Sequence, residues 1–191
     1  MKYTASLTNK ARTCTVLSLV AATLTLSACI ATAPKLDIFD PLQVSSAINV
    51  QRDDFKKVTN FRGPNVAQNR DDNVFLRAWR PDSTGKVDFQ IYVSDYYGGG
   101  WRFYNTAYDD GGNRLDTTTI SRNVIYCSYG SCTYREDLGL NVSRAYLEKK
   151  QDSGLTFQVS GQAGNQVFFI PGGYIKAFLS EANDWRTSSK K

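Results

Sequence analysis

The sequence contains no histidine, and this absence excludes more chemistry than any other feature of its composition. Histidine is the commonest general base and the commonest zinc ligand, so Ser-His and Cys-His nucleophiles and the usual zinc sites are excluded. Enzymes that use paired carboxylates, lysine or tyrosine stay open. No catalytic motif is recognisable, and we expect no catalytic residue, metal site or cofactor.

The chain also lacks an apolar run as long as the roughly 20 residues that a membrane-spanning helix needs. Its apolar segment 16–26 follows Lys2, Lys10 and Arg12, with no acidic residue before it. A basic start, a short apolar stretch and small residues at its end form the pattern of a secretory signal. We predict that residues 1–28 are a signal peptide rather than a short transmembrane anchor.

This segment ends in Leu26-Ser27-Ala28-Cys29 rather than in an ordinary cleavage site. The four residues resemble the lipobox of bacterial lipoproteins, in which the cysteine is lipidated and becomes the first residue of the mature chain. The resemblance implies a lipid anchor with acyl chains such as palmitate at Cys29, and several chains make membrane attachment effectively permanent. Ile30 is not the aspartate that retains many such lipoproteins in the inner membrane. The outer membrane is therefore favoured, with the protein facing the periplasm.

Little net charge remains once the signal peptide is removed. Three of the 23 Lys and Arg residues lie in 1–28, which leaves 20 against 18 Asp and Glu and a net charge of +2. Proteins that bind nucleic acids carry clustered Lys and Arg on one face. A charge balance this even gives no reason to expect a nucleic-acid partner.

Cysteine is scarce, and two of the four cysteines lie within the signal or at its end. The other two, Cys127 and Cys132, are separated by Ser-Tyr-Gly-Ser. In an exported protein this pair favours a disulfide at the tip of a tight hairpin. A redox site has a C-x-x-C spacing, and a metal site would need further cysteine or histidine ligands.

Strand patterns dominate from residue 48 onward. The clearest alternation runs through 87–94 and predicts a hairpin with 73–80 across a Pro-Asp-Ser-Thr-Gly turn. Further strands are predicted at 101–108, 115–126, 132–140, 155–159 and 167–170. A short helix is expected near 143–151, with Ser143 as its N-cap, and a C-terminal helix near 172–183. We therefore predict a mainly β fold, either an antiparallel β-sandwich or a β-rich α+β domain.

The sequence divides into three predicted parts. They are the signal peptide 1–28, a lipidated tether 29–47 and a single β-rich periplasmic domain 48–191. The tether contains Pro34 and Pro41 and has no sustained hydrophobic period, although its apolar residues could instead dock on the domain.

One acidic stretch, 109–113, invites comparison with a calcium-binding loop. It lacks the alternating acidic positions and the distant glutamate of an EF-hand, and its residues are those that a tight hairpin turn requires. We predict a turn.

The densest group of aromatic side chains surrounds three consecutive glycines, 98–100. If 101–108 is a strand, Trp101 and Phe103 face the core, and the residues of the other parity are exposed. Rings with a polar group on an exposed face are suited to stacking on sugars or to binding a partner protein. The alternative is that these rings pack a second face of the fold. The predicted binding surface comprises Tyr92, Tyr96, Tyr97, Trp101, Arg102, Tyr104 and Tyr108.

Three segments resemble a group of small uncharacterised proteobacterial lipoproteins. They are WRFYNTAY at 101–108, GLTFQVSG at 154–161 and IPGGYIKAFL at 170–179. The resemblance implies the compartment and the fold, and it brings no catalytic residue or ligand with it.

Together these patterns favour a lipid-anchored envelope protein that acts as a non-enzymatic binding or interaction module. Its partner would be another envelope protein or cell-wall glycan. One alternative is an envelope glycan hydrolase, whose two carboxylates would lie about 5–10 Å apart across a cleft. The other is a purely structural lipoprotein without a pocket.

Overall fold

The computed structural model describes the backbone of residues 36–188 and the side chains of 36–183. The predicted signal peptide, Cys29 and the first part of the predicted tether lie outside the described residues. Within the described range no helix is long and apolar enough to cross a membrane. The helices are α1 (Pro41–Ala47), α2 (Arg144–Lys150) and α3 (Gly172–Ser188). The strands are β1 (Asn49–Asp53), β2 (Val58–Arg62), β3 (Asn73–Pro81), β4 (Asp88–Gly99), β5 (Thr106–Asp109), β6 (Arg114–Ser128), β7 (Ser131–Val142), β8 (Leu155–Gly161) and β9 (Gly164–Ile170).

These strands form one open antiparallel sheet in the order β1-β2-β3-β4-β7-β6-β5-β8-β9. The predicted hairpin is present, because β3 pairs with β4 and places Leu76 opposite Ile91. The helices expected near 143–151 and 172–183 are also present, and the Ser143 side chain caps α2 by accepting a hydrogen bond from the Tyr146 amide. The prediction of a mainly β fold is confirmed.

Helix α3 covers one face of the sheet, which we call the inner face. Phe61, Leu76 and Ile91, on three adjacent strands, are buried in the same core as Tyr174 and Phe178 of α3. The Tyr174 hydroxyl accepts a hydrogen bond from the Leu76 amide at 3.3 Å and donates one to the Pro64 carbonyl at 2.8 Å. Two polar contacts, one to β3 and one to the segment that follows β2, thus fix the position of the helix within an apolar contact surface.

The folded domain begins earlier than predicted. Residues 41–47, assigned to the tether from sequence, form α1, and its Val44 is fully buried in the core. Asp40 is the N-cap, and its carboxylate accepts a hydrogen bond from the Leu42 amide at 2.9 Å. Apolar burial and a capped helix therefore bring this part of the predicted tether into the domain.

The segment 101–105 is not a strand, which corrects the prediction of one strand over 101–108. Phe103 has a left-handed φ of 53°, a conformation that interrupts the alternation of side chains along an extended chain. Phe103 is 38% exposed as a result, whereas Tyr104 is fully buried. Strand alternation predicts the reverse, with Phe103 in the core and Tyr104 exposed, and this prediction is wrong.

The two predicted hairpin turns are confirmed. Cys127 and Cys132 form a disulfide beside the turn between β6 and β7, where Tyr129 and Gly130 both have positive φ. In the turn 109–113, the Asp109 carboxylate accepts hydrogen bonds from the amides of Gly111 at 3.0 Å and Asn113 at 2.8 Å. Within the described residues, no group of three or more cysteine or acidic side chains is arranged to hold a metal ion.

Candidate functional site

A buried polar network holds the segment 101–104 against the inner face. On one side, Asp95 of β4 accepts hydrogen bonds from the Tyr104 hydroxyl at 2.6 Å and from the Arg102 guanidinium at 2.9 Å. Burial raises the pKa of Asp95, and these two donors partly oppose that effect. Arg102 also donates to the Tyr104 hydroxyl at 2.6 Å, so the three side chains form a closed cluster.

On the other side of the segment, Glu136 of β7 is fully buried and accepts four hydrogen bonds. The backbone amides of Phe103 and Tyr104 donate at 2.8 and 2.9 Å, and the Arg122 guanidinium donates at 3.0 Å. The fourth donor is the Tyr97 hydroxyl. Burial and the bond to Glu136 together raise the pKa of Tyr97. Because a buried carboxylate needs several donors, this arrangement fixes the path of the backbone at 103–104.

These two acids bear on the hydrolase alternative. Asp95 and Glu136 are register partners on neighbouring strands, so their side chains leave the same face of the sheet. Each is at most 2% exposed, and each carboxylate is already paired with an arginine. A glycosidase needs one acid that can give a proton to the substrate and a second that reaches its sugar. The observed pair instead suits the fixation of a backbone segment.

The predicted aromatic surface is divided between the two faces of the sheet. Tyr97 and Tyr104 are core residues, 6% and 0% exposed, which corrects their assignment to a binding surface. Trp101 packs on Tyr134, with ring centroids 4.4 Å apart, and Arg102 belongs to the buried network. Tyr108 is exposed on β5. The remaining two predicted residues, Tyr92 and Tyr96, lie on the face of β4 opposite the core, which we call the outer face.

The outer face of β2, β3 and β4 contains a groove of about 510 Å³. The alternation of each strand brings outward-facing side chains into it, and Tyr92 is the predicted binding residue among them. The lining includes Asn60 and Arg62 of β2, Phe75, Arg77 and Trp79 of β3, and Tyr92 of β4.

Two guanidinium groups lie against aromatic rings in this groove. The rings of Phe75 and Tyr92 are stacked with centroids 4.8 Å apart. The guanidinium carbon of Arg62 lies 4.3 Å from the Phe75 centroid, and that of Arg77 lies 5.0 Å from Tyr92 and 6.0 Å from Trp79. Cation–π contacts of this kind hold the flat guanidinium against the ring and leave its N–H edge free to bind.

A chain of hydrogen bonds across four strands positions Arg77. Its Nε donates to Gln90 Oε1 at 2.8 Å, Gln90 Nε2 donates to Asn141 Oδ1 at 2.6 Å, and Asn141 Nδ2 donates to Asp116 Oδ2 at 2.8 Å. Gly139 makes room for this chain, since a Cβ there would lie 2.4 Å from the Gln90 side chain. The glycine therefore lets the Gln90 amide lie close to the sheet.

Arg62 and Arg77 face each other directly across β2 and β3. Burial lowers the pKa of Arg77, and the nearby charge of Arg62 lowers it further. Among the described residues, neither guanidinium forms an ion pair with a carboxylate. The groove therefore carries a local excess of positive charge.

Four residues of the groove were not predicted as site residues from the sequence: Arg62, Phe75, Arg77 and Trp79. A usable signal was present, because the apolar positions of the predicted strand 73–80 are the even-numbered ones. The odd-numbered residues of that strand point to the opposite face, and they include Phe75, Arg77 and Trp79.

Comparison of the chain with protein families, with curated proteins and with solved structures gives no match. The resemblance to small proteobacterial lipoproteins thus stays a prediction.

Proposed function

We propose that this protein is a lipid-anchored component of the cell envelope that binds cell-wall glycan without catalysing a reaction. The observation that carries the proposal is the groove of about 510 Å³ in which three aromatic rings and two guanidinium groups are held by neighbouring strands. Binding sites for small ligands are concave, have volumes of about 300–1,000 Å³, and combine aromatic surface with a few oriented polar groups. Sugars fit such a lining because their C–H faces stack on rings and their hydroxyl groups accept hydrogen bonds from side chains.

The anchor in this proposal is the lipidated Cys29, which ends the Leu-Ser-Ala-Cys motif. It would tie the domain to the periplasmic face of the outer membrane, where cell-wall glycan lies within reach. Mass spectrometry of the exported protein tests this part of the proposal. We expect an N-terminal fragment that begins at Cys29 and carries acyl chains. An unmodified thiol there, or a different N-terminus, would contradict it.

Binding is tested by cosedimentation of the full-length protein with purified peptidoglycan sacculi. Trp79→Ala removes a ring from the groove, and we expect the bound fraction to fall severalfold. Tyr129→Ala is the matched control, because Tyr129 is a fully exposed aromatic residue at the tip of the β6–β7 hairpin. Equal binding by the two variants would remove the groove from consideration. Absence of binding by the unaltered protein would favour the purely structural alternative.

A further inference from the structure

We propose that the groove selects an acidic saccharide, whose oxyanion group is held between Arg62 and Arg77. This inference rests on the proposed function of the groove and adds the chemical class of its ligand. The oxyanion is a carboxylate or a phosphate, because both offer a guanidinium group the same pair of acceptor oxygens.

Within the part of the chain that the structure describes, the positive charge of the two arginines is not compensated by an ion pair. Arg62 and Arg77 are register partners on adjacent strands, a placement in which like charges destabilise a sheet. The carboxylate at the end of the hydrogen-bond chain, Asp116, accepts its bond from Asn141 and not from an arginine. None of the lining residues of the groove is acidic, although Asp137 is hydrogen-bonded to the Tyr92 side chain. Two opposed cations in a lining without a carboxylate are suited to an anionic ligand.

Both guanidinium groups are held in place before a ligand binds. Arg77 uses Nε and one N–H of Nη2 to bind Gln90 Oε1, which leaves both N–H groups of Nη1 and the second N–H of Nη2 as donors. Arg62 lies over the Phe75 ring, with its guanidinium carbon 4.3 Å from the ring centroid. These contacts already restrict both side chains, so binding of an oxyanion by them would cost little further conformational entropy.

The groove also offers contacts to the body of a ligand that carries the anion. Trp79 and Tyr92 are half-buried in the groove beside the cations, and Asn60 adds an amide with both donor and acceptor atoms. A free inorganic anion would leave these groups unused. A sugar ring that carries the anion would contact the aromatic rings and offer hydroxyl groups to the amide.

The experiment uses two matched pairs of saccharides and the full-length protein in detergent micelles. Trigalacturonate is compared with its neutral methyl ester, and glucose 6-phosphate is compared with glucose. Binding is followed through the arginine side-chain Nε–H signals of Arg62 and Arg77 in ¹⁵N NMR titrations. Arg62→Gln and Arg77→Gln remove one cation of the groove each. Arg70→Gln is the control for loss of one charge, because Arg70 is exposed in the segment between β2 and β3.

We expect at least one acidic saccharide to bind about tenfold or more tightly than its neutral partner, as hydrogen bonds to charged groups predict. That preference should disappear in both groove variants and persist in Arg70→Gln. The pair that shows it identifies the oxyanion as a carboxylate or a phosphate. Equal affinity within both pairs, or no shift of either arginine signal, would overturn the inference. If Trp79→Ala still reduced binding to sacculi in that case, the proposed function would stand without the acidic ligand.

Discussion

Asp95 and Glu136 lie directly opposite each other on β4 and β7, and each carboxylate is bound by an arginine from outside these two strands. Arg102 reaches Asp95 from the segment 101–104, whereas Arg122 reaches Glu136 from β6. Two negative charges can thus lie side by side in the interior because each has its own cation and further hydrogen-bond donors.

Removal of one acid from this network should leave its donors buried and unpaired. We expect Glu136→Ala to lower the free energy of unfolding by about 3 kcal/mol, as for other buried pairs that lose one partner. Glu148→Ala is the matched control, since Glu148 forms an exposed i,i+4 pair with Arg144. That change should cost about 0.5 kcal/mol or less. Urea denaturation measures both, and equal losses would show that the buried network does not stabilise the fold.

The turn at Asp109 should make stability depend on pH in the acid range. Burial alone would raise the pKa of Asp109, but hydrogen bonds from Asn113 and Tyr146 and the charge of Lys150 lower it to about 2. The unfolded chain has an ordinary aspartate pKa of about 4. Because the pKa of Asp109 is lower in the folded state, its ionised carboxylate increases the free energy of unfolding. This stabilisation is complete above pH 4 and is lost as the pH falls toward 2.

Asp109→Asn tests this dependence by urea denaturation at pH 7 and at pH 2.5. At pH 7 the variant should be less stable than the unaltered protein by about 2 kcal/mol, and most of that difference should vanish at pH 2.5. Asp110→Asn is the control, because the neighbouring Asp110 side chain is 57% exposed. A difference for Asp109→Asn that stays constant between the two pH values would contradict the prediction.

Gly161 of β8 allows the backbone of 101–104 to approach the sheet. A Cβ at this position would lie 2.1 Å from the Arg102 carbonyl oxygen, which cannot move as a flexible side chain would. We expect Gly161→Ala to destabilise the protein by about 2 kcal/mol. Gly98→Ala should change stability by about 0.5 kcal/mol or less, because a Cβ there meets no atom within 4 Å. Thermal unfolding of the two variants compares them, and equal melting temperatures would count against a close approach at Gly161.

The earlier start of the domain can be tested within α1. Val44 is fully buried, whereas Leu42 on the same helix is 82% exposed. Val44→Ala removes two buried methyl groups and should cost about 2 kcal/mol. Leu42→Ala should be nearly neutral. If both variants were as stable as the unaltered protein, α1 would contribute nothing to the core, and the tether would extend to residue 47 as the sequence suggested.

Local signals explain which features of the fold could be predicted. The β3–β4 hairpin follows from alternation on both sides of a turn, α2 from Ser143, and the disulfide from the spacing of Cys127 and Cys132. Each of these depends on residues close together in the chain, so one sequence is sufficient to find it. The order of the nine strands could not be predicted in this way, because it includes pairs of strands that are distant in the chain. β5, for example, pairs with its neighbour β6 and also with β8.

The path of 101–104 could not be predicted for the same reason. Its left-handed residue, Phe103, is not a glycine, and its amide binds Glu136, which is 33 positions away. The groove was recognisable only in part. One strand places Phe75, Arg77 and Trp79 on a common face, but the opposed Arg62 depends on the register between β2 and β3.

The disulfide between Cys127 and Cys132 closes the end of a long hairpin, and neither sulfur belongs to the described core. Reduction would remove the covalent link between the last residues of β6 and the first residues of β7, and it would leave the contacts between α3 and the sheet untouched. We therefore expect the reduced chain to reach its native core, so that assembly of the domain and oxidation of its thiols are separable events.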